Sequence, residues 1–395
     1  MTIYYVSDTT GNDANAGTSL ASPKKTIANA CAVADGGTGN IVEIIDSATY
    51  EEGDIAIYTN PIKVRATGSN KPVMDGDPNN NDYAFTSNCS GNVFQGLTMR
   101  NYDDGIMGTF GWPVNSYAFM LSGCICHFIQ GPQQIGAGGM AEVQRSLVVS
   151  DTRNAFTVYE NQHVWFNNSV LASNADGYPV IDSTQAMVNV TASFCTFLGD
   201  GYTTAGGARS WNLLNQVSKV INCIVSGTGD GINADSSTYN LVHVSGDPFI
   251  TWSAADYDGT PRSANTGEIT GNPLFVTGGV PGEIIFTSQN YDLQVGSPAI
   301  GAGVAFAGVS IDQSGTVRVD PPSIGAYEGP GAQWSDYYDT GNRRYTSAFV
   351  DRRFEKIRGD YKYKSTLDNR QAPFSLNVRG VPSLRNRQSA YSSSI

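Results

Sequence analysis

Residues 92–101, NVFQGLTMRN, hold an apolar run, a small break at Gly96 and a second apolar run. The figure returns as FMLSGCICHF (119–128), EVQRSLVVSD (142–151), VWFNNSVLAS (164–173), VNVTASFCTF (188–197) and KVINCIVSGT (219–228). Taking Leu97, Cys124, Leu147, Val170, Phe194 and Ile221 as equivalent gives intervals of 27, 23, 23, 24 and 27 residues. A period of that size, with short strands, Gly/Asn/Asp turns and no helical pattern between them, indicates a solenoid. The Leu-x-x-Leu-x-Leu skeleton of leucine-rich repeats is missing, so the pattern predicts an all-β, single-stranded parallel β-helix. Coils would stack at the usual strand spacing of ~4.8 Å, and roughly ten of them would make a rod on the order of 50 Å long.

Working outward, the N-terminal side predicts a short helix before the coils. Ser22-Pro23 offers an N-cap followed by Pro at the first helical position, and Ile27, Ala30, Cys31 and Ala34 share one face. This places a capping segment at 1–40 and the β-helix at 41–330. Residues 246–290 break the period and are expected to leave the rod as a loop, after which PLFV, EIIFTS and YDLQV resume it.

Composition narrows the class. Of 395 residues, 40% are apolar and 15% charged, so a sizeable core is available, and 44 glycines imply many turns. No run approaches the ~18 apolar residues of a membrane-spanning helix. The N-terminus carries no basic-then-apolar leader, so export by that route is not expected. Most of the six cysteines sit in strand-like runs, Cys124 and Cys126 are spaced wrongly for a mutual disulfide, and Cys-x2-Cys zinc spacing is absent, so they read as buried small hydrophobes in a reducing cell. His127, His163 and His243 are scattered and suggest no metal centre.

The net charge of −12 hides a division. Residues 341–395 hold 12 Lys/Arg against 4 Asp/Glu, net +8, which leaves 12 against 32, net −20, for residues 1–340. So sharp a break marks a boundary. The stretch 331–395 is polar, Tyr/Arg-rich and without a core pattern, and is expected to be an extended arm that orders against a larger assembly. Its anchoring residues would be Arg343, Arg344, Arg352, Arg353, Lys356, Arg358 and Arg379, with Phe374, Leu376 and Val378 on one face of a strand that could add to a partner's sheet. Arg358-Gly359-Asp360 reads as a chance tripeptide. Nucleic acid is disfavoured as a partner, because the acidic body would be repelled by phosphate.

Three segments resemble the pectate-lyase-like, right-handed parallel β-helix superfamily: YYVSDTTGNDANAGTSLASPKKTIANA (4–30), PIKVRATGSNKPVMDG (61–76), and YDLQVGSPAIGAG (291–303) with DQSGTVRVDPPSIGAYEG (312–329). The likeness implies a right-handed coil. It says little of activity, because that superfamily includes lyases, hydrolases, adhesins and phage tailspikes. Within the closing segment Asp312, Arg318 and Glu328 are expected to form a structural cap over the open end of the rod, where unpaired strand edges need cover.

For catalysis the candidates are the Asp-Gly-apolar triplets beginning at Asp104, Asp176, Asp200 and Asp230. Asp176 and Asp200 lie 24 residues apart, and if stacked would sit ~5 Å apart, the spacing of retaining glycosidases. Such a ladder could also bind Ca2+ through oxygen, although no cofactor is required by the sequence. Asp-Gly is equally an ordinary turn dipeptide, and the turn reading is preferred. A lyase would need a Lys or Arg base beside its acids. Arg100, Arg145, Arg153, Arg209 and Lys219 are the few cations within the coils, and only Arg153, near Asp151 and Glu160, clusters. Trp112, Trp165, Tyr159 and Tyr178 could stack on sugar rings, but lone aromatics more often serve packing.

Together these expectations describe a bacteriophage virion protein, tailspike-like or capsid-decorating, anchored by its arm to other virion proteins and touching host surface glycans. The homotrimer is implied by resemblance to phage spikes. The alternative is a secreted polysaccharide lyase or glycoside hydrolase.

Overall fold

A computed structural model describes residues 1–77, 83–87, 89, 91–108, 116–128, 133–135, 139–152, 155–158, 163–173, 180–183, 189–200, 219–228, 232–233, 236–244, 249–253, 256–261, 263–277, 290–306 and 309–329. The chain divides into two units, Met1–Arg344 and Tyr345–Ile395, and every described residue lies in the first. None of the described helices is long and apolar enough to cross a membrane. The arm residues Arg343, Arg344, Arg352, Arg353, Lys356, Arg358, Phe374, Leu376, Val378 and Arg379 lie outside the described residues.

Among the described residues, short parallel strands build two ten-stranded sheets and a six-stranded one, here called sheets A, B and C. Successive strands of the chain visit A, then B, then C, and each pairs with its counterpart one coil on, which is a right-handed parallel β-helix. Alternation explains the core. Val64, Phe94, Leu121, Val143, Phe166, Ala192 and Val220 register one above another in sheet A, and all point inward and are fully buried. Phe156 and Phe166 meet edge to face at 5.1 Å, and Phe166 meets Phe197 likewise at 6.5 Å.

The period read from the sequence holds while its phase does not. In sheet B the registered row is Thr98, Ile125, Leu147, Val170, Thr196 and Ile224. Phe194 is no strand residue: it occupies the corner between sheets A and B, with φ 53. That corner repeats at Gly96, Gly123, Arg145, Asn168, Phe194, Asn222 and Tyr239, all at positive φ between 48 and 69. Each corner amide donates to a carbonyl of the next coil, for example Gly123 N to Gln144 O at 3.0 Å and Asn168 N to Ser193 O at 3.1 Å.

From Gly123 onward the residue after each corner is Cys, Ser or Asn, turns inward and joins a polar ladder. Cys124 N donates to Ser146 Oγ, Ser146 N to Ser169 Oγ, Cys195 N to Cys223 Sγ and Cys223 N to Asn240 Oδ1. Cysteine therefore shares this row with Ser and Asn as a small hydrogen-bonding wedge. All six cysteines are free, and burial pushes the Cys124 thiol up to about 11, away from reactivity.

Helix α1 (Ile27–Ala34) buries Ile27, Ala30, Cys31 and Ala34 as the apolar spacing predicts. Its start corrects the expected one. The cap is Thr26, whose Oγ1 accepts from Asn29 N, and not Ser22. Backbone pairing explains why: Lys24 N donates to Tyr5 O, and Ser7 N to Lys24 O, so the chain past Pro23 is held extended beside the first strand. Glu52 then closes the helix start by accepting from Ile27 N at 2.9 Å and Ala28 N at 2.8 Å.

Residues 246–290 are more than a loop. Phe249–Ser253 pairs in parallel with Ile232–Asn233 and turns back antiparallel onto Asp256–Pro261. Ile269–Thr270 then rejoins sheet B beside Leu241–Val244. The expected resumption by PLFV and YDLQV is corrected: Phe275–Thr277 and Asn290–Leu293 pair antiparallel with each other, which no one-directional coil allows. EIIFTS lies outside the described residues.

This ribbon begins a closing segment that lies along the outer face of sheet B. Phe275, Tyr291, Leu293, Ala299, Ile324 and Ala326 form a second apolar core with Val149, Val170, Ala172, Leu198, Ile224 and Leu241. Neighbours in one strand therefore serve different cores: Leu171 points into the rod, while Val170 and Ala172 point out to the closing segment. Asp312, Arg318 and Glu328 do come together, but along the flank of the rod. Arg318 reaches Asn168 at the corner, so the expected cover of the open end is instead a lateral seal over an apolar sheet face.

Candidate functional site

The outer face of sheet B changes character along the rod. One registered row runs Asp75, Arg100, His127, Val149, Ala172, Leu198, Ser226 and His243. From Val149 to Leu198 it is apolar and sealed by the closing segment. Before Val149 it is charged and open to solvent, with the Arg100 side chain 42% exposed.

Stacking pairs these charges across coils. Arg100 Nε donates to Asp75 Oδ2 at 2.9 Å, its Nη2 donates to the same oxygen, and Asn101 Nδ2 donates to Asp75 Oδ1. One coil on, His127 Nε2 and Asp151 Oδ2 are 2.8 Å apart, with Asp151 in the turn that follows Leu147–Ser150. The result is a short surface with donors at Arg100, Asn101 and His127 and acceptors at Asp75 and Asp151, repeating at about one strand spacing of ~4.8 Å. An imidazole held against a carboxylate is also an arrangement used in general acid–base chemistry. Among the described residues no group of three or more His, Cys, Asp or Glu could hold a metal ion.

The residues singled out in sequence fare unevenly. Asp176 and Asp230 lie outside the described residues, and of the side chains of Asp104 and Asp200, both at strand ends, nothing is described. The stacking of Asp176 on Asp200 therefore falls outside the described residues. Ser173 registers with Gly199 and Asp200 with Thr228. Trp165 stands in the outward row of sheet A between Glu142 and Thr191. Trp112, Tyr159 and Tyr178 lie outside the described residues, as do Arg153, Glu160 and Arg209. Asp75, Arg100, His127 and Asp151 were not assembled from sequence. The available signal was their spacing of 25, 27 and 24 residues, which is the repeat period carried by charged residues.

The fold thus defines the class: a single-stranded right-handed parallel β-helix, the architecture that the resemblance to pectate-lyase-like proteins implied. No protein-family model matches the chain, and no curated relative is found for it. Among solved structures, pectate lyase Pel9A is 14% identical over 83% of this chain and 96% of its own, with a TM-score of 0.46. The GH136 lacto-N-biosidase from Eubacterium ramulus is 14% identical over 61% of this chain and 56% of its own, with a TM-score of 0.31, so this chain spans little over half of it. At such identities neither activity transfers to this chain.

Proposed function

We propose that the protein is a structural fixture of a bacteriophage particle, tailspike-like or capsid-decorating, that holds to other virion proteins through its basic arm and meets host surface glycans with its rod. Two observations support this reading: the closing segment's own hydrogen bonds and the charge break that follows it in the sequence. Glu328 accepts from Ser323 N and Oγ and from Arg318 Nη1, while its own amide donates to Asp312 Oδ2. Among the described residues the closing segment is bonded through to Glu328, and the stretch 341–395 that follows in the sequence carries a net charge of +8. Arg-rich segments without a core of their own suit docking. On the rod, the Asp75–Arg100–His127–Asp151 surface offers paired donors and acceptors to a hydroxyl-rich polymer lying along the axis, one pair for every two coils. Assembly as a homotrimer belongs to the same proposal.

Deleting residues 331–395 should leave a folded rod that no longer joins particles; normal incorporation of the truncated chain would end the anchoring half. The glycan half is tested by isothermal titration of the full chain with capsular or lipopolysaccharide fractions, comparing the native protein with Arg100→Ala/His127→Ala. Binding should weaken by roughly tenfold or more on loss of two polar contacts. Equal binding would place the glycan elsewhere.

The His127–Asp151 pair favours a second reading, a secreted polysaccharide lyase or glycoside hydrolase with His127 moving a proton. New reducing ends or unsaturated products that vanish in His127→Ala would select it.

A further inference from the structure

The closing segment carries more polar apparatus than an apolar cover requires. Arg318 is buried, with its guanidinium 4.0 Å from the centre of the Phe194 ring. Its Nε and Nη2 donate to Asn168 Oδ1 at 3.2 and 2.7 Å. Nη1 donates to Ser323 O and Glu328 Oε2, and Nη2 also to Gly325 O and Ala326 O. One cation thus ties the segment to itself and to two successive corners of the rod.

The other corners are gripped as well. Arg145 Nε donates to Gln313 O at 3.4 Å. Asn222 Nδ2 donates to Val304 O, Val304 N donates to Asn222 Oδ1, and Gly325 N donates to Asn222 O. Ala326 N donates to Thr196 Oγ1. Four consecutive coils, at Arg145, Asn168, Phe194 and Asn222, are therefore each held by residues 82 to 168 positions away. The seats do not exist in an unstacked chain: they are corner residues at positive φ, aligned only when neighbouring coils are in register. Contacts so distant in sequence also carry the largest loop-closure cost, and the coils, which pair with near neighbours, meet that cost earlier and more cheaply.

We propose that the closing segment is a kinetic clasp, shut after the coils have stacked and holding them against unwinding, with Arg318 as its latch. Interactions absent from the folding transition state slow unfolding without speeding folding, and the clasp is of that kind. Arg318 serves because its planar fork satisfies several acceptors at once and its face lies on an aromatic ring, which an ammonium cannot reproduce.

The test is stopped-flow unfolding and refolding of the full chain, followed by tryptophan fluorescence, for Arg318→Ala, Arg318→Lys and Asn168→Gly. Glycine keeps the positive φ at 168 while removing the side chain that accepts from Arg318. Unfolding should accelerate on the order of a hundredfold in Arg318→Ala and about tenfold in Asn168→Gly, with Arg318→Lys between wild type and Ala. Refolding rates should stay within about twofold. Should Arg318→Ala not accumulate as folded protein, Asn168→Gly decides alone. Refolding slowed as much as unfolding is hastened would mean that the segment belongs to the nucleus, and an unchanged unfolding rate in Asn168→Gly would remove the latch; either result overturns the proposal.

Discussion

His127 Nε2 lies 2.8 Å from Asp151 Oδ2, and the residue that follows His127 in its row on sheet B is Val149, sealed beneath the closing segment. One coil therefore separates a partly exposed imidazole from a buried methyl pair. Two substitutions probe that border. Arg100→Val, at an exposed and salt-bridged position, should change stability by no more than about 1 kcal/mol. Val149→Arg puts an unpaired charge into the second core and should cost about 3 kcal/mol or more. Thermal melts of the two variants check the contrast, and equal losses would mean that the border is not where the packing puts it.

The rod's interior is tested at Phe166, which is fully buried and touches the rings of Phe156 and Phe197. Phe166→Ala removes both edge-to-face contacts and leaves a cavity, so a loss of about 3–5 kcal/mol is expected in denaturant titration. A loss under about 1 kcal/mol would be incompatible with a close-packed interior.

The true start of α1 can be read by deletion of side-chain oxygens. Thr26→Ala removes the acceptor for Asn29 N and should cost about 1 kcal/mol, whereas Ser22→Ala, four residues upstream, should fall within about 0.5 kcal/mol. The reverse order in chemical denaturation would restore Ser22 as the cap.

Asp46 sets an acid limit on the N-terminal coil. Burial raises its carboxyl, but bonds from Tyr50, Ser7, Thr9 and Ala48 outweigh that, and the net pKa lies below the ordinary 3.8. A carboxyl lowered by folding lends stability that is full above the unfolded value and is lost as pH falls through the folded one. Melting temperature should therefore drop more steeply with acid below about pH 4 in the native protein than in Asp46→Asn. Parallel pH profiles for the two proteins would show that these bonds do not select the ionised form.

Much of this was legible in the chain. Alternation within six similar runs identifies a parallel coil, since period-two patterning repeated every 23 to 27 residues has few other solutions. The apolar face of α1 was read residue for residue, because Ile27, Ala30, Cys31 and Ala34 obey a local geometry. The charge break near residue 340 is likewise a property of composition alone.

Register, and everything that depends on it, was decided only by the tertiary structure. Phe194 reads as one more apolar strand residue, yet it turns a corner at φ 53 and offers its ring to a guanidinium 124 positions later. Runs such as LVVS and VLAS are apolar on both faces, which allows the phase to slip in sequence and is resolved in space by a second core. The charged surface was hidden for the same reason. Asp75, Arg100, His127 and Asp151 are ordinary isolated residues until a coil length that varies from turn to turn sets them side by side. Local pattern determines which way a side chain points, and only the summed lengths of the intervening turns determine what it meets.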